Sequence, residues 1–347
     1  MKVTLKRGVF ALALFACMNV AAPAVARDLT VVGFGGSLQD AMRSSYFKPY
    51  SEERKAPLIE ESYTGGIAKL KAMQQAKTVT WDVLQMDENE MNLACDEGLL
   101  EKFDWKTQAN ASEIIPQAQA PCGVAAFVWS KVLAFDASRT QGVSSWADFW
   151  NVTRWPGKRG MRKQARMTLE VALLADGVEP ERLYEVLGTK AGVDRAFAKL
   201  DTLKPYIQWW DSGAQPIEWL ASGNVVMTTA YNGRVASAIQ EGRAFKMIWD
   251  KQLYSMDYWT IPKGTDNLKQ AKDLVAYMTT AESQKRFAET IPYGVTNRRA
   301  TTLIVQKRQD ELPTSPKNMQ NALLISTPFW VDNEEELQRR FERWVAQ

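Results

Sequence analysis

The sequence predicts an α/β protein that folds into two lobes around mostly parallel sheets. Apolar, β-branched runs alternate with stretches of helical spacing along most of the chain. The length of 347 residues is sufficient for two domains, each with its own core. Because no flexible linker, repeat or low-complexity tract separates them, we expect several short crossings to join the two lobes.

The first 26 residues predict a secretory signal peptide. Basic residues precede an apolar run over residues 8–20, and Ala24-Val25-Ala26 has the small-residue order of a cleavage site. The apolar run is too short for a transmembrane anchor, and no stop-transfer pattern follows it. A lipoprotein site at Cys17 is the less favoured alternative, because bulky Phe15 stands where a small residue is usual.

Removal of this segment would change the charge of the protein. The full chain has a formal net charge of +3, and residues 1–26 contain Lys2, Lys6 and Arg7 but no acid, so the expected mature chain has a formal charge of zero. The basic character of the chain therefore belongs largely to the leader. Nothing in the mature charge indicates binding to nucleic acid or to a membrane surface.

The expected mature chain retains two cysteines, Cys95 and Cys122, and contains no histidine. An even pair in an exported chain predicts a disulfide, worth about 3 kcal/mol for a loop of this size. Without histidine, Ser-His-Asp and Cys-His catalytic systems and His-containing zinc sites are excluded. We expect no metal and no cofactor, whereas carboxylate pairs and Ser-Lys arrangements stay open.

In the first part of the chain, predicted strands are each followed by a turn and a helix. The strands cover residues 29–32, 58–63 and 81–86, and the first helix covers residues 38–50. The strand ends should converge on Phe34, Gly65 and Asp87, where ligands bind in open α/β sheets. A dinucleotide fingerprint would need a third glycine near Leu38, and that glycine is missing.

The second part continues the alternation of strands and helices. Predicted strands cover residues 124–135, 159–161, 207–210, 225–230, 247–249 and 255–261. Predicted helices cover residues 146–150, 168–176, 180–187, 193–203, 268–279 and 283–289, and the chain is expected to be helical again after Pro316. The apolar run over residues 124–135 is long enough to cross between the lobes.

The stretch Tyr231-Asn232-Gly233-Arg234 follows one of these strands directly. An aromatic ring, an amide and a guanidinium at a strand end can form a small-molecule site. The alternative is a tight turn in which Tyr231 fills the core. The residues alone leave both interpretations open.

An acid among aromatic residues marks a second candidate site. Asp257 is flanked by Tyr254, Tyr258 and Trp259. A carboxylate pairs with an organic ammonium, and rings add cation–π attraction of roughly 0.5–2 kcal/mol. The alternative is a solvated loop acid.

Three further features have a structural and a functional interpretation. Asp87 can be a site carboxylate or the cap of the helix that follows it, and the two roles are compatible. Trp210 is either a core residue or part of the site. Lys163 and Arg166 suit a carboxylate or phosphate, but they are equally typical of a solvated basic loop.

Several longer motifs resemble the spermidine/putrescine-binding periplasmic proteins of ABC importers. They are SMDYWTIPKG, AETIPYGVTN, WDVLQMDENEMNLACDEGLLEKFD, SSWADFW and YNG. The resemblance covers essentially the whole mature chain. It implies a monomeric periplasmic receptor with the two-lobed type II (Venus-flytrap) fold and an ABC permease as partner. The implied lobes are residues 27–134 with 258–300, and residues 135–257 with 301–347.

The resemblance also implies roles for individual residues. Asp257 matches the acid that holds an amine, and Tyr293 matches a tyrosine of the cleft. Tyr231 and Phe34 each stand where polyamine binders have a tryptophan. Asp87 and Asn89 fall on a serine and a tyrosine of the family cleft. The expected ligand-binding set is completed by Gly35, Ser37, Lys163, Arg166, Trp210, Ser212, Gly213, Arg234 and Ser255.

Departures from the family pattern indicate the ligand. Polyamine binders place further acids in the second lobe, where this chain has Lys163, Gln164 and Met167. We therefore expect a ligand with one ammonium and one carboxylate, such as 4-aminobutyrate, another amino acid or an opine. A diamine remains the alternative if Asp87 also binds an amine.

Two other functions use the same scaffold. One is a secreted enzyme with Asp87 and Asp257 as an acid/base pair, and the other is a sensor protein that docks on a chemoreceptor. We favour the receptor, and expect no enzyme, because no nucleophile–base motif is present.

Overall fold

The structure is a computed structural model that describes residues 27–108 and 110–347. The predicted signal peptide, residues 1–26, lies outside the described residues. In the described part, the strands are β1 (Leu29–Gly33), β2 (Leu58–Ser62), β3 (Val83–Asp87), β4 (Gln119–Ala120), β5 (Gly123–Asp136), β6 (Arg159–Arg162), β7 (Ile207–Trp210), β8 (Met227–Tyr231), β9 (Phe245–Thr260) and β10 (Leu323–Leu324).

The strands alternate with α-helices along the chain. The helices are α1 (Gly36–Met42), α2 (Lys48–Arg54), α3 (Ala68–Gln75), α4 (Glu88–Asp96), α5 (Trp146–Trp150), α6 (Thr168–Ala175), α7 (Leu183–Leu187), α8 (Lys190–Leu203), α9 (Gln215–Ser222), α10 (Asn232–Gln240), α11 (Leu268–Met278), α12 (Ala281–Thr290), α13 (Arg298–Leu303), α14 (Gln306–Gln309) and α15 (Thr327–Ala346). A π-helical segment, Arg43–Phe47, joins α1 to α2, so the helix predicted over residues 38–50 is one helical stretch.

The strands form one mixed sheet in the order β2-β1-β3-β9-β5-β8-β6-β7, with β4 beside β5 and β10 beside β9. On one side, β1 pairs in parallel with β2 and β3. On the other side, β6 pairs in parallel with β7 and β8. This arrangement confirms the predicted α/β fold class with its mixed, mostly parallel sheet.

The long strands β5 and β9 connect the two halves of the sheet. The amino-terminal half of β5 pairs with the carboxyl-terminal half of β9, which in turn pairs with β3. From Lys131 onward, β5 also pairs with β8 in the other half. The run over residues 124–135 thus crosses between the halves. The predicted lobe boundaries at 134/135 and 257/258 fall inside these two strands.

The structure differs from the sequence prediction along β9 and near the carboxyl terminus. Two predicted strands, 247–249 and 255–261, form the single strand β9, because a bulge opposite Val132 absorbs the residues between them. Lys251 in this bulge has a left-handed φ of 53°. The prediction of helix from Pro316 onward is wrong for residues 316–326, where turns and β10 precede α15.

The predicted disulfide is present. Cys95, at the end of α4, is bonded to Cys122, which directly precedes β5, and their Cα atoms are 5.7 Å apart. The bond therefore ties α4 to the strand that crosses between the two halves. Over residues 27–108 and 110–347, no helix is both long and apolar enough to cross a membrane.

Candidate functional site

A cavity of about 170 Å³ lies where the ends of β1, β3, β7 and β8 meet the middle of β5 and β9. Both halves of the sheet contribute to it, because strand ends on each side face the same crevice. Ten residues of the predicted set line it: Phe34, Asp87, Asn89, Arg166, Ser212, Gly213, Tyr231, Arg234, Asp257 and Tyr293. The volume is below the roughly 300–1,000 Å³ of pockets for drug-sized ligands, so the cavity suits a small solute.

Asp257 lies inside β9 and not in a loop, and its side chain is buried. One carboxylate oxygen accepts a hydrogen bond from Nε2 of Gln85 at 2.5 Å, and the other accepts one from Nε1 of Trp129 at 2.6 Å. Burial, reinforced by the negative charge of Asp87, raises the pKa of Asp257 to about 7. Both donors are neutral, so no positive charge within the described residues forms an ion pair with this carboxylate.

Asp87 is the direct antiparallel neighbour of Asp257, on β3. It accepts the backbone N–H of Glu90 at 3.0 Å and thereby caps α4, as its helix-capping interpretation predicts. Its other oxygen lies 3.0 Å from Nη1 of Arg166, whose side chain is buried. Asp87 therefore caps α4 and also lines the cavity, and its charge is already neutralised by an arginine.

Two other arginines line the cavity, and neither has a carboxylate within 4.0 Å in the described part of the chain. Arg234, in the first turn of α10, donates from Nη2 to the carbonyl of Gly35 at 3.2 Å, across the crevice. Arg162, at the end of β6, donates to the hydroxyl of Tyr231. A Cβ on Gly213 would lie 2.8 Å from Nε of Arg234, so the glycine leaves room for the guanidinium.

Aromatic rings complete the walls. Phe34 stacks on Tyr63 with ring centroids 5.0 Å apart, and Phe127 stacks on Tyr293 at 4.8 Å. The ring of Tyr231 lies in the cavity wall, so Tyr231 is not merely a core residue. The rings next to Asp257 in sequence, Tyr254, Tyr258 and Trp259, do not line the cavity. Side chains alternate between the two faces of a strand, and rings at other positions along β9 lie at a different depth from Asp257, so these three rings are not part of the cavity wall.

Five predicted residues lie outside the lining: Gly35, Ser37, Lys163, Trp210 and Ser255. The side chain of Lys163 is exposed to solvent, as the solvated-loop interpretation predicts, and Arg162 points inward instead. Trp210 is buried behind Tyr231, with ring centroids 6.0 Å apart. The hydroxyl of Ser255 donates to Glu88 at 3.4 Å.

Sequence reasoning missed several residues that line the cavity, among them Tyr63, Glu90, Phe127, Trp129, Arg162 and Glu334. Glu334 comes from α15, at the far end of the chain, and accepts a hydrogen bond from Nδ2 of Asn89 at 3.3 Å. Burial and the charge of Asp87 raise the pKa of Glu90 to about 8. For Arg162, the alternation of side chains at the end of β6 was an available signal.

A metal centre is not indicated by the residues that the structure describes. Within 27–108 and 110–347, no three Cys, Asp or Glu side chains come together in a way that could hold a metal ion. The chemistry that the cavity offers is recognition of charge: in the described part of the chain, its buried carboxylate Asp257 has no cationic partner, and Arg162 and Arg234 have no anionic partner. The two-sided crevice and this polar, ring-lined cavity define a two-lobed solute-binding protein.

Comparison with known proteins identifies the family. Residues 48–314 match the family described as bacterial extracellular solute-binding protein, and the chain belongs to this family. It is 46% identical to the gamma-aminobutyric acid-binding protein of Pseudomonas aeruginosa PAO1, over 94% of this chain and 93% of that protein. These findings confirm the family that the sequence motifs indicate.

Solved structures agree with this assignment. The chain resembles the binding protein MotA from A. tumefaciens B6 in complex with glucopine, with a TM-score of 0.85 and 26% identity, over 92% of this chain and all of that one. It also resembles the Atu4243 GABA receptor, with a TM-score of 0.80 and 30% identity, over 92% of this chain and 98% of that one. The predicted two-lobed binding-protein fold is confirmed.

Proposed function

We propose that this protein is a periplasmic receptor that delivers a small ω-amino acid, foremost 4-aminobutyrate, to an ABC permease. The observation that carries the proposal is the charge pattern of the cavity. Asp257 accepts only neutral donors, and Arg162 and Arg234 have no acidic partner in the described residues. A ligand with an ammonium at one end and a carboxylate at the other neutralises the charge of Asp257 and gives the two arginines an anionic partner.

The ligand's ammonium belongs at Asp257. The carboxylate supplies the negative charge, and Phe127, Trp129 and Tyr293 supply ring faces and edges in the same wall. Removed from water, such a pair gains strongly from its charge-assisted hydrogen bonds. Cation–π attraction adds roughly 0.5–2 kcal/mol.

The ligand's carboxylate belongs at Arg234, with Arg162 and the hydroxyl of Tyr231 beside it. Arg234 lies in the first turn of α10, so the positive end of the helix dipole supports the same negative charge. A planar guanidinium binds a carboxylate through two parallel N–H groups. Ligand contacts to Asp257 and Arg234 reach both halves of the sheet, and such contacts favour lobe closure.

The comparisons support this choice of ligand. The Pseudomonas aeruginosa relative is a gamma-aminobutyric acid-binding protein, and one similar solved structure is a GABA receptor. The family also argues for a binding role and against catalysis, because its members are solute-binding proteins. Its extracellular character supports the periplasm as the location.

A short diamine is the second candidate, because five carboxylates line the cavity: Asp87, Glu90, Asp211, Asp257 and Glu334. Two of them cannot serve a second ammonium well. Asp87 is already paired with Arg166, and Glu90, with a pKa of about 8, is mostly protonated at neutral pH. The two unpaired arginines would also repel a second positive charge.

Isothermal titration calorimetry with four matched ligands tests the proposal. 4-Aminobutyrate carries both charges, butyrate lacks the ammonium, butylamine lacks the carboxylate, and putrescine replaces the carboxylate by a second ammonium. We expect 4-aminobutyrate to bind in the micromolar range, about 8 kcal/mol, and the other three to bind at least about a hundredfold more weakly. Tighter binding of putrescine would establish the diamine instead, and consumption of 4-aminobutyrate, followed by NMR, would contradict a pure binding role.

A further inference from the structure

Two contacts between protein side chains join the halves of the protein at one edge of the cavity. Arg166, from the loop after β6, lies 3.0 Å from Asp87 at the end of β3. Glu334, on α15, accepts a hydrogen bond from Asn89 on α4 at 3.3 Å. We refer to these four residues, Asp87, Asn89, Arg166 and Glu334, as the clasp. Both contacts can form only when the two halves are close together.

One side of the clasp is a single rigid unit. The backbone N–H of Ala165, next to Arg166, donates to Oε1 of Gln338 on α15 at 2.9 Å. Helix α15 is in turn fixed to its own half, because Nε1 of Trp330 donates to Glu170 at 2.7 Å. Arg166 and Glu334 therefore move together when that half moves.

The other side of the clasp is equally constrained. Asp87 caps α4, and Asn89 lies in the first turn of this helix and is buried. The far end of α4 is tied to β5 through the Cys95–Cys122 disulfide. Because neither side can adjust independently, the two contacts of the clasp form at one width of the crevice only.

We propose that the clasp sets an upper limit on ligand length. A ligand that fits the closed cavity leaves both contacts intact, whereas a longer one holds the halves apart and breaks them. All four clasp residues line the cavity, but the limit on length acts through the width of the crevice and not through a contact of the clasp with the ligand. This inference rests on the proposed function for the identity of the ligands, but not for the existence of the clasp.

The test compares dissociation constants for 4-aminobutyrate, 5-aminopentanoate and 6-aminohexanoate. Glu334→Ala, at an exposed position, removes the contact to Asn89. The charge-neutral pair Asp87→Asn with Arg166→Met removes the other contact of the clasp. Glu335→Ala is the matched control, because Glu335 is the next residue on α15 and forms its ion pair with Arg339, on the same helix. Thermal unfolding confirms that each variant is folded.

We expect Glu334→Ala to weaken binding of 4-aminobutyrate by about two- to fivefold, the range of one partly exposed polar contact. The double variant should weaken it more. In both, the preference for 4-aminobutyrate over 6-aminohexanoate should shrink relative to the wild-type protein and to Glu335→Ala. An unchanged preference in the double variant would overturn the length-limit inference.

A ligand-free measurement separates this inference from the proposed function. In small-angle X-ray scattering, the clasp variants without ligand should show a larger radius of gyration than the wild type and Glu335→Ala. If the wild type binds none of the three amino acids but the clasp variants open, the ligand assignment fails and the clasp stands. Identical scattering from the wild type, the two clasp variants and Glu335→Ala would show that the clasp does not hold the halves together.

Discussion

Replacing Asp257 by asparagine should weaken ligand binding and at the same time stabilise the ligand-free protein. The substitution keeps the size of the side chain and removes its charge. Gln85 and Trp129 now donate to the two carboxylate oxygens. Oε1 of Gln85 has no partner in the described residues, so a rotated Gln85 amide can accept the N–H of the new side chain. The new side chain should therefore keep hydrogen bonds to both Gln85 and Trp129, although Nε2 of Gln85 then takes the position where Oε1 has no partner in the described residues.

The magnitude of the stability effect follows from the pKa. Burial raises the pKa of Asp257 from 3.8 to about 7, which at about 1.36 kcal/mol per pH unit corresponds to about 4 kcal/mol. Because the folded-state pKa of Asp257 lies above the unfolded-state value, the folded protein binds a proton here more tightly than the unfolded chain does. The stabilisation that this proton gives is fully present below pH 4 and is lost as the pH rises through 7. In urea unfolding at pH 8.5, Asp257→Asn should be more stable than the wild type by up to about 4 kcal/mol, and at pH 4 the gain should largely disappear.

Ligand affinity should change in the opposite direction. Binding of an ammonium requires the charged carboxylate, so the wild-type affinity should fall roughly thirtyfold between pH 8.5 and pH 5.5, the effect expected for one group with a pKa near 7. Asp257→Asn should bind 4-aminobutyrate at least about a hundredfold more weakly at pH 8.5, with little pH dependence from this position. Calorimetry at both pH values measures this. Wild-type affinity in the variant, or the full wild-type pH slope, would refute the assignment of the ammonium to Asp257.

The remaining predictions concern the carboxylate end of the ligand and the disulfide. Arg234→Met should weaken 4-aminobutyrate binding by roughly 2–5 kcal/mol in calorimetry, because the ligand's carboxylate loses its charged partner, and near-wild-type affinity would disprove the proposed ligand orientation. Arg162→Ala should also weaken binding of 4-aminobutyrate. Lys163→Ala, one residue further and exposed, should change the binding free energy by less than about 0.5 kcal/mol. Equal effects of the two substitutions would show that strand alternation does not decide which of these side chains binds the ligand's carboxylate. The paired substitution Cys95→Ser with Cys122→Ser should lower the free energy of unfolding by about 3 kcal/mol in urea, and reductant should lower the wild type similarly while leaving the variant unchanged.

Most strands near the site could be predicted from sequence, because their ends are chemically marked. Glycines follow β1, and an acid ends β3. An aromatic, amide and guanidinium sequence follows β8. The joining of residues 245–260 into one strand could not be predicted, because the bulge near Lys251 interrupts the apolar pattern while the pairing with β5 continues. That continuity depends on a partner distant in sequence.

Within the cavity lining, sequence reasoning found ten residues, among them Asp257 and Arg234, but it missed several others. Trp129 lies in a strand that is apolar and buried along nearly its whole length, so nothing local distinguishes the indole that donates to Asp257. Glu334 enters the cavity only because α15 packs back across the crevice. Choosing Lys163 in place of Arg162 followed from reading the basic turn by composition and not by the side-chain alternation that continues from β6.

The unpaired charge of Asp257 lowers the stability of the folded protein, and under the proposed function the same charge contributes to ligand binding. A buried carboxylate with only neutral donors lowers the stability of the folded protein, whereas an asparagine would not. Folding stability alone would therefore favour asparagine at this position. Under the proposed binding mode, a ligand ammonium supplies the positive charge that Asp257 lacks, so part of the binding free energy is relief of a cost already present in the folded protein. Asp87 shows the contrast: its charge is neutralised by Arg166 before any ligand arrives, and it therefore holds the halves together instead of holding the ligand. Two carboxylates opposite each other on neighbouring strands thus take different tasks, and which one has an internal cation decides the difference.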